Sequence, residues 1–154
     1  MTRSDRKTAD PDLGMLAARV LFAVQREFTA DLRARGVDGL RPKHGAVLAY
    51  LDEGGSRATD LARRSGQHKQ VIGTLVDELT ELGYVRREPD PADRRAKLVV
   101  PTERGLEEMR RSDAIVAEFE ARCADALGAS EYGAFKDALR RVAAVGAGDT
   151  AEAR

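Results

Sequence analysis

The chain of 154 residues has no tryptophan, one cysteine and two histidines. A single cysteine, Cys123, excludes an intrachain disulfide and suits a reducing compartment, so a cytoplasmic location is expected. Two histidines without a Cys pair or a His-Glu-x-x-His spacing give no metal site. Aromatic residues are scarce at 5%, which offers no hint of an aromatic-lined pocket. Neither sign of charge is in excess: 26 Lys and Arg balance 26 Asp and Glu. That balance excludes a binder working through total positive charge, but not one that needs only a local basic surface. No apolar run approaches the roughly 18 residues of a membrane span, and Met1–Asp10 lacks a signal-peptide core. A phosphate-binding glycine loop ending in Lys-Ser/Thr is missing, as is any nucleophile–base set, so neither enzyme activity nor a cofactor is expected.

What is present is a mostly helical pattern with a small β segment. Residues 1–9 are polar and aperiodic and read as a disordered arm. Asp10-Pro11 reads as a helix start. Leu13, Leu16, Ala17, Val20, Val24, Phe28 and Leu32 then trace an apolar stripe up to Gly36, a C-terminal cap. Leu21 and Ala23 widen that stripe beyond one core contact. A partner chain would cover it most economically; helices from the C-terminal end are the alternative. A second helix is expected from Pro42 to about Glu53, ended by Gly54-Gly55, with Arg41 before it unable to cap.

The most informative stretch is Ala58–Gly105. After a short strand at Ser56–Ala58, Thr59 should cap a helix over Asp60–Ser65, and Gly66 turns the chain. A longer helix follows from about His68 to Leu82. Ile72, Leu75, Val76, Leu79 and Leu82 share one face of it, while Lys69, Gln70, Gly73, Thr74 and Asp77 share the other. That second face is divided, with Lys, Gln and Thr towards the N-terminus and Asp77, Glu78 and Glu81 towards the C-terminus. A helix that enters a major groove by its N-terminal end needs this polarity. Gly73 costs roughly 1 kcal/mol against alanine in mid-helix, and its missing side chain would let the backbone approach a groove. Two strands, Tyr84–Glu88 and Ala96–Val100, flank the turn-forming run PDPADRR. Arg94 and Arg95 thereby fall at or near a hairpin tip, with Arg86, Arg87 and Lys97 on its flanks. Arginine suits both phosphate and the negative potential of a narrow minor groove. Helix, turn, helix and basic hairpin together make a winged helix-turn-helix that binds double-stranded DNA. A winged helix that binds protein instead is the alternative, but it leaves Lys69, Gln70, Thr74, Arg94 and Arg95 without a shared purpose.

Thr102 should cap a long helix to about Leu127, with Leu106, Met109, Val116, Phe119, Cys123 and Ala126 on one stripe. Cys123 there reads as a small core residue. Ser130 should cap a last helix whose Tyr132, Phe135, Leu139 and Val142 face inward. The expected organisation is an arm (1–9), a dimerisation helix (10–36), a DNA-binding domain (40–105), C-terminal dimerisation helices (106–145) and a flexible tail (146–154).

The runs LARRSG and KQVIGTLVDELTELGYVRREPDPADRRAKLVVPTERG resemble the MarR family of bacterial transcriptional regulators. The resemblance implies a homodimer formed by the terminal helices. Repression from a palindromic operator and release by a small aromatic or phenolic ligand are also implied. In the wing it implies that an aspartate, Asp93, braces one arginine while another reaches DNA. The chain departs from the family pattern at Arg41 and at His68, where Ser or Thr is usual, and at Pro101, where an apolar residue is usual. Gly73 is a further departure.

Overall fold

A computed structural model describes residues 1–147. Every member of its buried apolar cluster lies between Leu40 and Val99. The central segment therefore carries its own core. Helix α4 (Ala58–Ser65) ends on Gly66, whose φ of 70° is the left-handed value a non-glycine side chain resists. Helix α5 (Lys69–Glu81) follows, and its Ile72, Leu75, Val76 and Leu79 are buried as the period predicts. Burial of each such side chain contributes about 1.5–3 kcal/mol, enough to fix which way the helix faces. Strand β2 (Val85–Asp90) pairs with β3 (Asp93–Pro101), and β3 pairs on its other edge with the two-residue β1 (Ser56–Arg57). Both pairings are antiparallel, so the sheet order is β1-β3-β2.

The ends follow their own logic. Residues expected as a disordered arm form a short helix, α1 (Arg3–Ala9), because Thr2 and Asp5 make a reciprocal capping box. The next helix, α2 (Leu13–Ala34), is capped by Asp12 rather than Asp10; the Asp12 carboxylate accepts the Met15 N–H at 3.0 Å. Asp10 instead closes α1. Gly36 does end α2, and the Val37 N–H donates to the Leu32 carbonyl in the six-to-one bond of a Schellman turn. Helix α6 (Glu103–Leu127) starts on Thr102 as expected, its hydroxyl accepting the Gly105 N–H. Helix α7 (Ala129–Ala147) begins before Ser130, which is therefore not its cap. Residues 148–154 of the expected tail lie outside the described residues.

The helix expected over residues 42–53 is shorter. Pro42–His44 is a 3-10 turn and α3 (Gly45–Leu48) a single α turn. Two backbone groups that would continue the helix are taken elsewhere. Arg64 donates to the Tyr50 carbonyl at 3.2 Å, and the Asp52 N–H goes to Ser56 Oγ at 3.1 Å. Likewise α4 begins at Ala58, ahead of the expected Thr59 cap, and no side chain caps it.

Outside the centre, apolar surface lies open. No residue of α2 is buried, and Leu13, Leu16, Val20, Leu21 and Phe22 are all about half exposed or more, from 48% to 61%. Phe135, Leu139 and Val142 on α7 are exposed as well. Cys123 on α6 is half-buried. Ion pairs tie α2 to α6, beside Leu32 and Met109, which pack on the core. Arg35 bonds both oxygens of the buried Glu108 at 2.8 and 3.0 Å, and Asp31 accepts from Arg35 and, in paired fashion, from Arg111.

Candidate nucleic-acid interface

The N-terminal turn of α5 is open. His68 stands at its N-cap with extended backbone, but no side chain accepts the first free N–H groups, as its departure from Ser or Thr predicts. Helix N-termini left this way attract anions. His68, Lys69, Gln70, Val71 and Thr74 line one shallow hollow there. Gly73 lies on the same side, and a Cβ added to it would meet nothing within 4 Å. One expected donor is already engaged: Thr74 Oγ1 donates to the Gln70 carbonyl at 3.2 Å.

The hairpin stands beside this helix, because Arg87 of β2 pairs with Asp77 of α5 at 2.7 Å. Its end is tighter than the sequence indicated. Pro89 pairs with Lys97 but Asp90 pairs with Asp93, so Arg94, Arg95 and Ala96 have no partner on β2. They form an outsized bulge, which ejects both arginines beside a two-residue turn. Among the described residues, Lys69, Arg94, Arg95 and Lys97 take part in no ion pair, and all four are exposed. Arg86 differs. Its guanidinium is held at the hairpin base by Glu88 at 2.6 Å and the Pro101 carbonyl at 3.1 Å.

Two aspartates of the hairpin approach Arg57, and they differ in how closely they hold it. Asp93 accepts only the Arg95 backbone N–H, at 3.0 Å, and stays 4.0 Å from Arg57. The brace is Asp90, with a side chain only 8% exposed, and the arginine it holds is Arg57 of β1, at 2.5–2.7 Å. The Ala92 N–H and then the Arg57 guanidinium keep the Asp90 carboxyl below its ordinary pKa. It is therefore a firm anion at neutral pH. The sequence pattern Asp-x-x-Asp could not separate the two aspartates, because the choice depends on which one the β1 strand meets.

Sequence reading also missed His44. It is buried at 1% exposure. Its Nδ1 accepts the Arg41 N–H at 2.9 Å, so the proton sits on Nε2 and is donated to Glu78 at 2.8 Å. His44 thus makes the return half of a capping box, bonding the N–H of the N-cap residue, while the Arg41 side chain offers no acceptor. With Lys43, which pairs with the same carboxylate at 2.7 Å, it clamps the 3-10 turn to α5. Lys43 and then His44 hold the Glu78 carboxyl below its ordinary pKa. One turn further on, at the C-cap of α5, Arg104 donates to the Leu82 carbonyl at 2.9 Å and lies 4.4 Å above the Tyr84 ring. Both sets of contacts grip the C-terminal part of α5, leaving its N-terminal turn open.

A second hollow lies where α2 meets Pro42, lined by Phe22, Gln25, Arg26, Thr29, Ala30 and Arg33 as well. Neither arginine there is ion-paired among the described residues.

A helix pair, an uncapped second helix and a bulged basic wing define a winged helix-turn-helix regulator. Residues 38–96 match the MarR family. The HTH-type transcriptional regulator YcgE of Bacillus subtilis (strain 168), itself uncharacterised, is 39% identical over 64 residues. That match spans 41% of this chain and 42% of the relative, less than half of each. Among solved structures, CouR from Rhodococcus jostii RHA1 bound to p-coumaroyl-CoA is 30% identical, with 86% of this chain and 92% of that one covered at a TM-score of 0.70. The transcriptional repressor CouR bound to a 23-mer DNA duplex is 25% identical over 89% of this chain and 95% of that one, with a TM-score of 0.69. The chain belongs to the MarR family of transcriptional regulators. Among the described residues no helix is long and apolar enough to cross a membrane.

Proposed function

We propose that the protein is a cytoplasmic, homodimeric repressor that binds a palindromic operator and is released by a small aromatic or phenolic anion. The observation that carries the reading is the set of unpaired cations, Lys69, Arg94, Arg95 and Lys97, beside an uncapped helix N-terminus. Arg57, Arg86 and Arg87 of the same sheet are engaged with carboxylates, so these four are the cations of α5 and the hairpin left for a partner. His68, Lys69, Gln70 and Thr74 approach bases in the major groove, with Gly73 allowing close approach. Arg94 and Arg95 reach the adjacent backbone or minor groove, and Lys97 adds a phosphate contact. Arg86 and Asp93 serve the wing from inside it. Two such heads joined by the terminal helices would meet successive major grooves about 34 Å apart.

The hollow between α2 and Pro42 suits the ligand: an aromatic wall at Phe22 and free guanidinium groups at Arg26 and Arg33. CouR, the relative bound to p-coumaroyl-CoA, carries a ligand with a phenolic acyl part. Such a ligand acts only through different affinities for the DNA-competent and incompetent dimers.

Binding to the DNA upstream of its own gene, measured across salt, tests the reading. Tight binding to one short palindrome with a steep salt dependence is expected. Arg94→Ala with Arg95→Ala should weaken binding and flatten the salt slope; an unchanged slope would remove the wing from the interface. Lys69→Ala or Gln70→Ala should relax base preference by roughly 1–3 kcal/mol at defined positions if the contact is paired. Arg26→Ala with Arg33→Ala should leave operator affinity alone and abolish release by phenolic carboxylates or p-coumaroyl-CoA.

A further inference from the structure

Val71 is the one large apolar side chain of α5 left open to solvent, at 41% exposure, while Ile72, Leu75, Val76 and Leu79 are buried. It gives the core nothing, and a β-branched residue is a poorer helix former than the straight-chain residues an exposed site usually takes. It lines the hollow at the N-terminal end of α5, among side chains that are otherwise polar: His68, Lys69, Gln70 and Thr74. Thr74 lies three residues on, hence alongside Val71 on the helix surface. Its hydroxyl is bonded back to the Gln70 carbonyl, so the part of Thr74 free to meet a partner is its methyl. Gly73 removes any side chain from the neighbouring position, and nothing stands within 4 Å of where its Cβ would be. The result is a small apolar notch, two side chains wide, set between cationic and amide groups on an anion-attracting helix end.

A major groove has one apolar feature on its base edges, the C5 methyl of thymine. Resting on the operator reading above, we infer that Val71, with the Thr74 methyl, reads a thymine methyl at a fixed position in each operator half-site. Lys69 and Gln70 beside the notch remain available for hydrogen bonds to the neighbouring base pairs. Val71 is thus a specificity-determining residue that the polar pattern of the helix face conceals.

Replacing thymine by deoxyuridine deletes that methyl and leaves every hydrogen-bonding group in place. The full-length protein is first used to select a duplex from a random pool, and each thymine of the selected site is then replaced in turn. Wild type should lose about four-fold in affinity at one thymine per half-site, the scale set by burial of a single methyl. Val71→Ala, a change at an exposed position, should discriminate between the thymine and deoxyuridine duplexes less than wild type does, the Thr74 methyl remaining in place. Lys69→Ala should bind both more weakly yet keep the difference between them. If wild type binds its selected site and no replacement changes affinity, or if Val71→Ala discriminates as strongly as wild type, the methyl-reading role is wrong. If wild type selects no duplex at all, the operator reading itself falls.

Discussion

A Cβ placed on Gly105 would lie 2.0 Å from the Tyr84 carbonyl oxygen and 3.4 Å from Pro101. The obstacle is backbone, so no rotamer change relieves it. Around that contact the chain is stitched by three further bonds: the Thr102 N–H to the Tyr84 carbonyl, the Thr102 hydroxyl to Gly83, and the Gly105 N–H to Thr102. Gly105→Ala should therefore cost at least the 1–3 kcal/mol typical of an overpacked core, and pull α6 off the sheet. Gly73→Ala should do the opposite. Its Cβ meets open space, so alanine should stabilise α5 by up to about 1 kcal/mol through helix propensity alone. Urea denaturation of the two variants gives a direct comparison. Midpoints that move the same way would show that one of the two environments is misread. If Gly73→Ala is more stable yet binds operator less tightly, the glycine is kept for the groove and not for the fold.

Helix α5 was legible in the sequence because five apolar residues at helical spacing leave one face to bury, and Gly66 and Gly83 punctuate it. Its outward residues were legible for the same reason, except Val71, whose apolar side chain matches those of the buried face. Elements whose form depends on distant partners were not. The bulge that ejects Arg94 and Arg95 arises from strand register, the choice of Asp90 over Asp93 from the position of Arg57, and the short α3 from Arg64 and Ser56. Helix α1 rests on a capping box in a segment with no apolar face, so periodicity had nothing to detect. The Arg57–Asp90 pair makes the wing testable as an element. Arg57→Ala should speed amide exchange through residues 90–97 and weaken DNA binding, although Arg57 need touch no DNA. Thermal stability should fall as well, since the Asp90 carboxylate, only 8% exposed, loses its cation. Exchange rates equal to wild type would show that the turn holds its shape without β1.

For the whole molecule, the apolar faces of α2 and α7 and the charges between α2 and α6 have separate tasks. Leu16→Asp with Val20→Asp places charge on the open face of α2, outside the central core, and should yield a folded monomer in sedimentation that no longer binds a palindrome. A variant that stays dimeric would place the interface elsewhere. The charge network sets how α2 sits against α6, and it has a defined acid limit. Arg111 first and then Arg35 hold the Asp31 carboxyl below its ordinary value of 3.8. A lowered carboxylate pKa stabilises the folded form at pH above the ordinary value, and that contribution disappears as pH falls through the lowered value. The link between α2 and α6 should therefore be constant from neutral pH down to about pH 4 and weaken below it. Asp31→Asn removes the titrating group. It should be less stable than wild type at neutral pH, and the gap should close in acid as wild type loses the same interaction by protonation. Melting temperatures of the two proteins across pH 2–7 check this. A gap that stays constant into acid would mean that Asp31 contributes through something other than its charge, and no gap at all would mean that Arg35 and Glu108 hold the helices without it.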